Sequence, residues 1–175
     1  MKNSPILVAL LCAATSTSMA QNTDASTHPS ISASEFVEKA GAGGLAEVEM
    51  GQLGVEKASN SQVKAFAKRL VTDHTKANEQ LTAALKGKGL EVPSSRSAMH
   101  KAMMDKFREE KAGKDFDRDF IDHMVTDHKN DIELFETAAD DKKLDSALSN
   151  YAKVTLPVLR EHLKEAQTIQ SKLSN

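Results

Sequence analysis

Three histidines of this chain directly follow an acid, in Asp73-His74, Asp127-His128 and Glu161-His162, and the first two pairs close identical Val-Thr-Asp-His strings. Imidazole and carboxylate are donors for zinc, copper and iron, and imidazole is also a proton carrier near neutral pH. Each of these histidines lies midway along a stretch whose apolar residues recur at three and four. A titratable group there is costly to bury without partners, so the three residues mark a site.

The seams place the imidazoles inward. His162 falls in Leu148, Ala152, Thr155, Leu159, His162, Ala166, Ile169; His74 in Val63, Ala67, Leu70, His74, Ala77, Leu81; and His128 in Ile121, Val125, His128, Ile132, Phe135. In the glycine-rich first stretch, Val37, Ala40, Gly44, Glu47, Gly51 favours Glu47, whereas Leu45, Glu49, Leu53 favours Glu49. One glutamate belongs inside, and Glu47 is preferred. Glu47, His74, His128 and His162 each fall within about 5 Å of the expected midpoint of their helix, so four helices contribute to one level.

Two chemistries suit such a layer. A mononuclear centre of His74, His128 and His162 with Glu47 or Glu49 would take zinc, copper or iron, with Asp73, Asp127 and Glu161 orienting imidazoles on neighbouring helices. Alternatively the layer is a closed polar network that fixes helix register. Di-iron carboxylate chemistry would need Glu three residues before a histidine, but those positions hold Val71, Val125 and Leu159. No nucleophile, phosphate loop or triad pattern is present, so no catalytic residue is assigned.

The elements that must position these residues are helical. Beyond residue 34 the only prolines are Pro93 and Pro157. Ser32-Ala33-Ser34-Glu35 has the form of a capping box and opens a first helix to about residue 58; Ser59-Asn60-Ser61-Gln62 opens a second, which ends near Lys86 at Gly87 and Gly89. Two more span about 115–138 and 146–172, separated by Asp140-Asp141-Lys142-Lys143. Short turns make two antiparallel hairpins, and the segment 87–114, with an amphipathic piece at about 97–112, is long enough to cross the bundle. The expected fold is all-α, a ferritin-like four-helix bundle with a crossover carrying a short extra helix. Met99, His100, Met103 and Met104 on that piece are soft donors for copper, or an apolar stripe packing on the bundle. His123 is expected at the surface near Asp119. Pro157 predicts either a kink that shapes the site or a tolerated bend.

Residues 1–20 have the form of a signal peptide: Lys2, an apolar run from Ile6 to Ala14, and Ser18-Met19-Ala20 before the cut. The only cysteine, Cys12, lies inside it, so the mature chain has no thiolate ligand or disulfide. Residues 21–33, including His28, read as a disordered leader, and 34–175 as the bundle. A periplasmic or secreted location follows. Cleavage leaves no transmembrane segment and a net charge near −3 without a basic run, which excludes nucleic acid as a partner. Monomer and homodimer are both compatible with the sequence, and it names no protein partner.

The strings AGAGGLAEVEMGQLGVEKASNSQVKAFAKRLVTDH (40–74), FDRDFIDHMVTDH (116–128) and TLPVLREHLKEA (155–166) resemble a family of exported bacterial proteins of unknown function, often labelled predicted outer-membrane proteins. The resemblance covers essentially all of 34–172. It implies a ferritin-like helical bundle and no established activity.

Overall fold

A serine hydroxyl starts the first helix: Ser32 Oγ accepts from the Glu35 amide at 3.1 Å, the first half of a capping box, while the Glu35 carboxylate pairs with Lys39. The structure is a computed structural model that describes residues 30–174; the signal segment with Cys12, and the leader up to residue 29 with His28, lie outside the described residues. Five helices and no strand are found among the described residues: α1 (Ala33–Lys57), α2 (Ser61–Ala84), α3 (Ala98–Glu109), α4 (Lys114–Asp140) and α5 (Ser146–Leu173). The protein is all-α.

At the second start the cap is Asn60, not Ser59. Asn60 Oδ1 accepts from the amides of Gln62 (2.8 Å) and Val63 (3.4 Å). Ser59 is engaged elsewhere, because its hydroxyl and amide, with the Asn60 amide at 2.8 Å, donate to the buried carboxylate of Asp117. That carboxylate pins the α1–α2 turn to the first turn of α4, and three donors account for the burial of its charge.

Cross-helix contacts give the directions. Gly54 of α1 lies against Ala67, Gly51 against Ala67 and Val71, and Gly44 against Asn78, so α1 and α2 are antiparallel. Ser149 donates to the Ala139 carbonyl, Arg160 pairs with Glu136 and Gln170 donates to Asp122, so α4 and α5 are antiparallel as well. Ser59 meets Asp117 and Glu47 meets His128, making α1 antiparallel to α4. It follows that α2 and α4 run the same way, and the chain between them must traverse their length. It does so along α1: Pro93 packs on Gly41, Arg96 pairs with Glu49, and Lys57 donates to the carbonyls of Phe107 (2.8 Å) and Arg108 (2.7 Å). Gly87 and Gly89, at φ 77° and 68°, turn the chain out of α2.

The core divides in two. One apolar cluster joins Met50, Phe66, Leu70, Phe107, Phe116, Phe120 and their neighbours; the other joins Phe36, Leu81, Phe135, Leu148, Tyr151 and theirs. On every long helix the residue between the clusters is polar: Glu47, His74, His128 and His162, all buried. Pro157 lies within α5 on its exposed side, facing away from this layer. Among the described residues no helix is long and apolar enough to cross a membrane.

Candidate metal centre

Helices α2, α4 and α5 each present one imidazole to the same point. The ring centroids of His74, His128 and His162 lie 5.2–5.6 Å apart, and one ring nitrogen of each falls within 4.8 Å of the others. All three are at most 5% exposed. Burial lowers the pKa of each: His128 to about 4, His74 well below its usual value with His128 and His162 adding to the effect, and His162 less far because Asp73 opposes it. The imidazoles are therefore neutral at neutral pH.

Their tautomers follow from their partners. His128 Nδ1 faces the Met124 carbonyl at 3.0 Å, which only accepts, so Nδ1 carries the proton. His162 Nε2 faces the Asp73 carboxylate at 2.8 Å, so it too carries the proton. The nitrogens left over, His128 Nε2 and His162 Nδ1, face each other at 3.2 Å. In neutral rings both are lone pairs. His74 Nε2 is also buried and has no hydrogen-bond partner. Asp73 is held in turn by Arg69 at 3.2 Å, and Arg69 also binds Glu161 at 2.6 Å and Glu165 at 2.9 Å.

Glu47 stands apart from this trio. Its Oε1 is 3.6 Å from His128 Nδ1, on the side of that ring away from His162. It groups instead with Asp127 and Asp131, one oxygen of each within 4.8 Å of the others. The structure thus places Glu47 behind His128, where the Met124 carbonyl already holds Nδ1, and not on the face shared by the three imidazoles. Burial first, then the charge of Asp127, raises Glu47 well above the carboxylate range; the same two causes raise Asp131. Glu49 is only half-buried and pairs with Arg96 and Arg108. Glu161 is largely exposed, and Asp127 belongs to the acidic group.

Two residues escaped the sequence reading. Asp131 is four residues after Asp127, a like-charged spacing that an exposed helix would avoid, and that clash was the available signal. Arg69 is four before Asp73, the spacing of a helix ion pair, and only the fold adds its two partners on α5. His123, expected at the surface, is instead half-buried against the Phe107 ring at 5.5 Å, because α3 packs over it.

The chain belongs to the family described as a domain of unknown function, DUF4142, whose model matches residues 16–169. No curated protein matches it. Among solved structures, CopM in the Cu(II)-bound form is similar, with a TM-score of 0.68 and 14% identity over 82% of this chain and 99% of that one. At that identity the likeness is one of fold.

Proposed function

We propose that this protein binds a transition-metal ion through His74, His128 and His162, within an exported, ferritin-like four-helix bundle of the cell envelope. The observation that carries the reading is the convergence of unprotonated nitrogens. With both outer nitrogens fixed as donors, His128 Nε2 and His162 Nδ1 meet lone pair to lone pair at 3.2 Å, and the His74 ring packs against both with its buried Nε2 unpartnered. Neutral rings in that arrangement repel unless a cation lies between them. Two nitrogens bound tetrahedrally at about 2.0–2.1 Å would stand about 3.3 Å apart, close to the spacing found.

The surrounding groups fit the role. Asp73 orients the His162 ring from a neighbouring helix, as carboxylates do behind metal-bound histidine, and Arg69 fixes Asp73. Glu47 stands behind His128, where burial and the Asp127 charge favour its neutral form. Imidazole donors suit zinc, copper or iron, and no thiolate is present in residues 21–175 to narrow the choice. The amino-terminal pattern from Lys2 to Ala20 supports export. No residue is assigned a catalytic role.

A second reading has an observation of its own. Met124, His128, His162, Asp73 and Arg69 form a chain of hydrogen bonds interrupted only between His128 and His162, where one extra proton would complete it. The layer would then be a structural network in an interaction or stress-protection module. Metal analysis separates the two. Wild-type protein purified from its native compartment without chelator should carry about one ion per chain, and His74→Ala and His128→Ala should carry almost none. A wild type that arrives without metal and takes up neither zinc, copper nor iron would leave the structural reading standing alone.

A further inference from the structure

We propose that the protein has a second and separate metal site, a copper(I) site built from methionine and histidine side chains where α3 packs across α1 and α4. Met50, Met103, Met104, Met124, His100 and His123 line one small cavity. Five methionines occur among the described residues, and four of them are in this lining. Each helix contributes through one face: His100, Met103 and Met104 are spaced three and four apart on α3, His123 and Met124 lie one turn before Asp127 on α4, and Met50 lies one turn after Glu47 on α1. Ala46 leaves the space between them.

The chemistry of the donors selects the ion. Thioethers are soft, weakly basic ligands that hold copper(I) and leave zinc or iron(II) to imidazole and carboxylate. Methionine also fills gaps in cores, and packing alone would account for the thioethers. Packing does not account for the polar groups on the same cavity. His100 Nδ1 is buried there with no hydrogen-bond partner. His123 is held neutral by burial, in the state that binds metal. Glu47 and Asp127 line the cavity too, and the Asp127 carboxylate favours a cation over an apolar guest.

The cavity borders an open groove. His100 and Asp127 also line an open groove between α1, the crossover and α4, and Met99, 77% exposed, stands on the same groove. A copper(I) ion meeting the Met99 thioether at the surface would reach the cavity past His100. The site shares no imidazole with the centre at His74, His128 and His162, so the two can be tested apart.

The test uses the full chain under anaerobic conditions, with copper(I) presented against a competing chelator and silver(I) as a closed-shell substitute for methyl NMR of the methionines. One equivalent of silver should shift the methyl signals of Met50, Met103, Met104 and Met124. Copper(I) affinity should fall at least about tenfold in Met103→Leu/Met104→Leu, which conserves volume, and in His100→Gln, which sits at the edge of the core. The silver-induced shifts of those four methyl signals should persist in His74→Ala. Unaltered affinity in both cavity variants, silver shifts confined to Met99, or loss of the four methyl shifts in His74→Ala would each overturn the proposal.

Discussion

Three neutral imidazoles packed side by side make the protein sensitive to acid in its metal-free form, and the sign can be worked out residue by residue. In the unfolded chain histidine gains its proton near 6.5, whereas folded His128 holds off until about 4 and His74 is also pushed well down. Between those values the unfolded chain binds more protons, so stability is lost as pH falls through the window. His128 alone accounts for about 3 kcal/mol of that loss. Glu47 and Asp131 act in the opposite sense. Their raised pKa values mean that their contribution is full below about 4 and disappears as pH rises through the folded values. The metal-free variant Glu47→Gln/Asp131→Asn removes the opposing pair. Its denaturant midpoint should decline steadily from pH 7 to pH 4.5; a flat profile would show that the imidazoles are not held neutral.

At the scale of helices, the glycines of α1 divide by what a methyl group would meet. At Gly54 an added Cβ would sit 2.8 Å from both Ala67 Cβ and the Phe120 ring, where α2 and α4 close on α1. Gly54→Ala should destabilise by about 1–3 kcal/mol, since overpacking outweighs the gain in helix propensity. At Gly43 the nearest atom is Asp131 Oδ1 at 3.9 Å, so Gly43→Ala should stabilise by up to about 1 kcal/mol. Thermal melts of the two variants check the contrast. The same helices show how far local pattern reaches. The Ser32 box was legible because capping needs only neighbours in sequence. The Asn60 cap was misread by one residue because Asp117, far along the chain, takes Ser59 for itself.

Across the whole molecule, the polar layer splits one core into two apolar clusters, and the ion at its centre would tie α2, α4 and α5 together. A ligand that binds only the folded state stabilises by mass action, about 4 kcal/mol at a thousandfold excess over its dissociation constant. For a domain of this size that corresponds to roughly 10 °C. Calorimetry with and without chelator should show that difference in the wild type and not in His128→Ala. Equal melting temperatures for the chelated and untreated wild type would mean that no ion bridges the helices.

Helix periods, capping boxes and connection lengths are local quantities, and from them the sequence by itself determined an all-α chain, two antiparallel hairpins, a crossover between them, and imidazoles on the buried seams. Height along a helix is also local, so the level of the layer could be read from residue numbers. Azimuth between helices is not. Which nitrogen meets which oxygen depends on rotations about helix axes and on rotamers that only packing fixes. Tertiary structure therefore decided that Glu47 joins Asp127 and Asp131 behind His128, that His162 turns its Nδ1 toward His128 because Asp73 holds the other side, and that four scattered methionines line one cavity.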